Sequence, residues 1–243
     1  FAEIGETKNR PVIFFDDMDD KNDKEEFLNA LPALAGKAYV VLIVRTKMEL
    51  TFPSDIIQMK AITVPMLLAE NKALEPLDAL RTIAITDGIP ELVRLFDFKK
   101  SFAENLPLLL AHDSAYFRYA ESELRRNFRT PETYNTLLYG MATGYNRISE
   151  LSEFSGFPQN KCDKYLKALD KAGLLETEQR KDTAGHIRTH YYPKGGYWKT
   201  WFRYVFPSQG RYLEVQKGEA LQQLADEIDK TIVAEYFKKV CWN

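Results

Sequence analysis

The stretch from residue 131 to 193 constrains the fold most, because proline, glycine and apolar spacing punctuate it at short intervals. "PETYNTLLYGMATG" opens on Pro131, which suits a first helical turn, and stops at Gly144. "RISELSEFSG" is a short second helix stopped by Gly156. "FPQNKCDKYLKALDKAG" is a third, with Pro158 in its first turn, Cys162, Tyr165, Leu166 and Leu169 on one side, and Gly173 as the stop. "LLETEQR", the turn "KDTAG" and "HIRTHYYP" then predict a β-hairpin.

Three short helices followed by a hairpin is the winged helix-turn-helix arrangement, expected here over residues 131–200. In such domains the third helix lies in the major groove and its early residues reach base edges. That helix offers Gln159, Asn160 and Lys161 first, then Lys164, Lys167 and Lys171 along its outer side. Gln and Asn can read adenine, and lysine meets guanine or phosphate. The hairpin adds Arg180, Lys181 and Arg188, and the preceding helix adds Arg125, Arg126 and Arg129. Between residues 124 and 200 there are 13 Lys and Arg against 8 Asp and Glu, in a chain whose formal net charge is −2. Basic charge is therefore concentrated where the groove-binding surface is expected. Asp163 and Asp170 on the same helix repel phosphate, so DNA and a protein partner or second copy both stay open as occupants.

The first 70 residues have a different rhythm. "PVIFFDD" and "AYVVLIV" are continuous apolar runs of strand length, of the kind buried on both faces of a parallel sheet, and "KEEFLNALPALAG" between them is a helix closing near Gly36. Strand, helix, strand within about 35 residues is a βαβ crossover. Asp16 and Asp17 end its first strand. In P-loop NTPases such an acid holds Mg²⁺ and its neighbour can polarise the attacking water, which makes Asp16 the candidate metal ligand and Asp17 a weak candidate base. The phosphate cradle G-x-x-x-x-G-K-S/T is not found in the 243 residues. Gly36-Lys37-Ala38 lacks both the earlier glycine and the hydroxyl, and precedes a strand. ATP is thus expected with Mg²⁺ only in a longer parent protein, of which this chain is expected to be a fragment.

Residues 71–130 carry helical periodicity, punctuated by "TDGIP", where Gly88 ends one helix and Pro90 begins the next. From 201 to 243, "WFRYVFP" reads as core and "EALQQLADEIDKTIVAEYFKKV" as a helix. His186 and His190 share one strand face with no third ligand near, and Cys162 and Cys241 are too far apart in sequence to suggest a disulfide framework or zinc cluster. Cysteine usage of this kind suits a reducing cytoplasm, where the chain is expected, and no apolar run approaches the roughly 20 residues of a membrane span, so no membrane contact is expected.

Taken in order, "VIFFDDMD", "AYVVLIVRT", "ITDGIPELVRLFD", "YNTLLYGMATGYNRISELSEFSG" and "KYLKALDKAGLLE" resemble the archaeal-type ATPase family of the STAND branch of AAA-related P-loop NTPases. The resemblance implies an α/β plus α chain: a partial P-loop NTPase parallel sheet over 1–70, a helical lid over 71–130, the winged helix over 131–200, and over 201–243 the lead-in to a restriction-endonuclease-like C-terminal domain. It makes Gly88, Ile89 and Pro90 the lid motif, with Asp87 in place of the first glycine of the family's Gly-Gly-Ile-Pro. Asp17 likewise stands where the family usually has Glu.

Overall fold

The computed structural model describes residues 10–16, 24–44, 50, 52–183, 185–208 and 219–242. These fall into two compact units, Phe1–Met59 and Lys60–Asn243.

In the first unit, β1 (Val12–Phe15) leads to α1 (Lys24–Ala30), which tightens into a 3-10 turn over Leu31–Leu34 and returns as β2 (Tyr39–Leu42). The strands pair in parallel, Val12 opposite Tyr39 and Phe15 opposite Leu42, as the crossover spacing requires. Gly36 takes a positive φ of 79° at the bend after the helix. Burial on both faces is not found. Successive side chains of a strand point to opposite faces. Phe15 meets Phe27 of α1 edge-on at 4.7 Å, so α1 covers that side and Ile13, Phe15, Val40 and Leu42 are half-buried. Val12, Phe14, Tyr39 and Val41 point the other way and are exposed, because among the described residues the sheet has only two strands.

The second unit begins with α2 (Val64–Glu70), ahead of the expected start of the helical stretch, its first turn capped by the Thr63 hydroxyl accepting from the Met66 N–H. It continues with α3 (Pro76–Thr86), α4 (Pro90–Val93), α5 (Phe102–Leu110) and α6 (Ala115–Asn127). Gly88 and Pro90 act as expected, Gly88 with φ 67° after α3 and Pro90 at the first turn of α4.

Next come α7 (Pro131–Ala142), α8 (Ile148–Ser155), α9 (Gln159–Lys171) and an antiparallel hairpin of β3 (Leu175–Lys181) and β4 (Ile187–Pro193). All five elements stand where the sequence places them. Pro158 is one position earlier than expected, as the residue capping α9. Gly140 permits the α7–α8 contact, since a Cβ there would press on the rings and methyls of Phe154 and Leu151.

After the hairpin, α10 (Gly195–Thr200) winds on through a wider π turn, Trp201–Val205, and a tight turn, Phe206–Ser208. The chain is described again in α11 (Glu219–Ile228), a second π turn (Asp229–Val233) and α12 (Ala234–Trp242). The aromatic stretch is core, as expected: Tyr197, Trp198, Trp201 and Phe202 are buried.

Of two apolar clusters among the described residues, Leu67, Ala79, Ile83 and Val93 form the smaller, and the larger runs through most of the unit. Ile85, Leu92, Leu106 and Tyr116 belong to it, as do Leu137, Leu151, Leu166 and Leu175, and so do Phe202, Ile228 and Val233. Residues 71–130, 131–200 and 201–243 therefore share a core, in which each fully buried aliphatic side chain contributes about 1.5–3 kcal/mol. No helix among the described residues is long and apolar enough to cross a membrane.

Candidate functional site

On α9 the buried residues Cys162, Leu166 and Leu169 fix which way the helix faces. Asn160, Lys164, Lys167 and Lys171 recur at i, i+4, i+7 and i+11 on the opposite side and are all exposed, a stripe about 16 Å long. Gln159 is exposed at the first turn. Lys161 is not on this stripe. It is half-buried, with its Nζ 3.9 Å above the Phe157 ring and 5.7 Å from that of Tyr165, because the helical turn aims it at those two aromatics.

The cations differ in their partners. Lys167 pairs with Asp163 at 2.7 Å, Arg180 with Glu178 at 2.6 Å, and Arg188 with Asp182 at 3.1 Å. These pairs are exposed, where each is worth about 0–1 kcal/mol and exchanges readily for another anion. Lys164, Lys171 and Lys181 form no ion pair among the described residues. Arg125, Arg126 and Arg129 are exposed at the end of α6 and just beyond it, with Arg126 paired to Glu123.

Asp16, the residue after β1, is exposed, and Asp17 lies outside the described residues. Among the described residues no group of three or more His, Cys, Asp or Glu could hold a metal. Asp16 is thus the one candidate Mg²⁺ ligand of the sequence that falls among the described residues. His186 and His190 belong to no such group among the described residues.

The turn at Asp87-Gly88 is built differently from what its glycine pattern suggests. Asp87 adopts the left-handed conformation at φ 51°, which Asp tolerates better than most residues. Its carboxylate accepts the backbone N–H groups of Gly196 at 2.7 Å and Tyr197 at 3.1 Å, so a residue 109 positions upstream caps α10. Backbone approach around it is close. The Ile62 N–H donates to the Gly88 carbonyl at 2.7 Å. A Cβ at Gly88 would overlap the carbonyl of Ile62, one at Gly195 the Asp87 carboxylate, and one at Gly196 the carbonyl of Ala84. The doublets Asp87-Gly88 and Gly195-Gly196 were the only sequence signal of this joint.

Burial pushes the Asp87 carboxyl up from 3.8 to about 6, against the opposing pull of the two N–H groups and of Lys199 on α10 and Lys239 on α12. Tyr116 of α6 and Tyr236 of α12 also feel its charge. A carboxyl whose folded-state pKa is raised contributes stability that is full below about 3.8 and lost as pH rises through about 6. The chain is therefore expected to gain about 1 kcal/mol from this group between pH 7 and pH 5. Asp87→Asn should lack that gain in urea unfolding at the two pH values; equal pH dependence in both proteins would contradict it.

Beside this joint lies a charge cluster. The Lys199 ammonium is buried between Glu176 of β3, at 2.7 Å, and Glu235 of α12, while Lys239 reaches Glu176 at 2.8 Å. Burial opposes the charge on Glu176, yet the two lysines hold its carboxyl below the usual range. Arg81 of α3 grips Asp229 in the second π turn through Nε at 2.9 Å and Nη2 at 2.5 Å.

Set against known proteins, this two-part chain, a small parallel α/β unit followed by a helical unit carrying a hairpin, matches no family model and no solved structure. A stretch of 128 residues is 29% identical to an uncharacterized protein of Methanocaldococcus jannaschii. The match takes in 50% of this chain and 28% of that relative, so the chain spans well under half the length of the curated protein it resembles.

Proposed function

We propose that residues 131–200 form a winged helix-turn-helix domain that binds duplex DNA in the cytoplasm through α9 and the hairpin. The observation that carries this is the exposed stripe Asn160, Lys164, Lys167 and Lys171, held outward by the burial of Cys162, Leu166 and Leu169 on the other side. Lysines at that spacing meet successive phosphates, while Gln159 and Asn160 stand at the end of the helix that reaches base edges. Lys181, Arg180 and Arg188 supply flanking phosphate contacts from the wing, the two arginines by exchanging Glu178 and Asp182 for phosphate. The test is duplex binding by the whole chain followed by fluorescence anisotropy. Replacing both Lys164 and Lys167 by Glu should weaken binding by at least 10-fold, and unchanged binding would remove α9 from the interface. In that case the same helix is left as a docking surface for a protein partner or a second copy.

A second reading concerns the parent protein. The parallel pairing of β1 with β2 and the position of Asp16 directly after β1 support a place in an AAA-related, STAND-type ATPase. In it ATP and Mg²⁺ would be bound chiefly by segments beyond these residues, and Gly88, Ile89 and Pro90 would form the lid motif. A longer parent that hydrolyses ATP, and stops doing so with Asp16→Asn, is the expected result. Unchanged hydrolysis in that variant would contradict the role given to Asp16.

A further inference from the structure

We infer that the Asp87 joint makes the lid helices and the winged helix one mechanical body, so that displacement of the Gly88-Ile89-Pro90 turn moves α9 and the hairpin with it. This rests on the reading of that turn as the lid motif and of residues 131–200 as the winged helix.

Four sets of contacts close the unit on itself. The Asp87 carboxylate holds the start of α10, the element that follows directly on the hairpin. The glycine contacts leave no room for the turn to slide, because Gly196 lies against the Ala84 carbonyl of α3 and Gly88 against Ile62. Two buried hydroxyls continue the link: Tyr116 donates to the Ile85 carbonyl at 2.7 Å, and Tyr197 donates to the Tyr116 carbonyl at 2.7 Å. Lys199 and Glu176 then tie α10 to β3, the first strand of the wing. A swing of α7 to β4 about the lid would have to open this chain of contacts on one side of α10 or the other and split a shared core. Interiors packed this closely switch between discrete states or move whole. With Asp87 in the place of a glycine, this chain gains a side chain that clamps the turn where a glycine would leave it free.

The experiment uses the whole chain with Cys241→Ser and spin labels at Glu91→Cys on α4 and Glu153→Cys on α8, both exposed positions. Double electron–electron resonance should give one narrow distance in this background and in Asp87→Asn, which keeps an acceptor for the two N–H groups, and a broadened one in Asp87→Ala. A broad or two-peaked distribution before Asp87 is altered would overturn the proposal, as would an unchanged narrow one in Asp87→Ala. Should Asp87→Ala fail to fold, hydrogen exchange in the unaltered chain decides. Gly196 and Tyr197 amides protected as strongly as those of α7 uphold the joint, and faster exchange at those two amides overturns it. Neither readout involves DNA or nucleotide, so a failure here is distinguishable from a failure of the binding function.

Discussion

Gly88→Ala is expected to destabilise the unit Lys60–Asn243 by about 3 kcal/mol or more. Two penalties fall on one added methyl. The residue sits at φ 67°, which a side chain adopts at a cost of about 1–2 kcal/mol. The methyl would also overlap the carbonyl of Ile62, whose own N–H is bonded to the Gly88 carbonyl at 2.7 Å, so neither strand of backbone can retreat without breaking that bond. Chemical unfolding followed by tryptophan fluorescence measures it, with Trp198 and Trp201 buried in the affected core. A loss below about 1 kcal/mol would mean that the turn relaxes, and with it the close-packed joint would be lost from the account.

The second large effect concerns Lys199. Replacing it by Ala is expected to cost about 3 kcal/mol, because a buried ion pair is destabilised far more by losing one partner than it gains from having both. Glu176 and Glu235 would be left facing each other with only Lys239 between them. Lys199→Met, which restores apolar volume without the charge, should remain nearly as unstable if the loss of one of the two cations from the cluster is the cause. A substantial rescue by Met would assign the effect to packing. Thermal melts of the three proteins separate the cases.

Helix and strand identities were legible from residues 131 to 193 because stop signals are local: Pro131, Gly144, Gly156 and Gly173 act within a turn of where they stand. The same locality misled at the first unit. An apolar run such as Val12–Phe15 says that a strand would suit burial, but how many neighbours cover it is set by residues far away, and here Val12 and Phe14 remain exposed. The outward face of α9 could be read from helical spacing alone, whereas the aim of Lys161 at Phe157 depends on a ring four positions earlier and on its rotamer. The joint was hidden for a stronger reason. Asp87 looks like an eroded glycine motif, and only its contact with a backbone 109 residues later shows what the carboxylate does. Lys199, a cation in an aromatic stretch, carried no sign of the two glutamates that meet it from β3 and α12.

The claim that α9 and the wing meet DNA is tested most directly by the salt dependence of duplex binding by the whole chain. With Lys164, Lys167, Lys171, Arg180, Lys181 and Arg188 as phosphate contacts, the logarithm of the binding constant should fall against that of salt concentration with a slope of about −5, as counterions are released. Binding that is absent at low salt, or a slope near zero, would contradict the account.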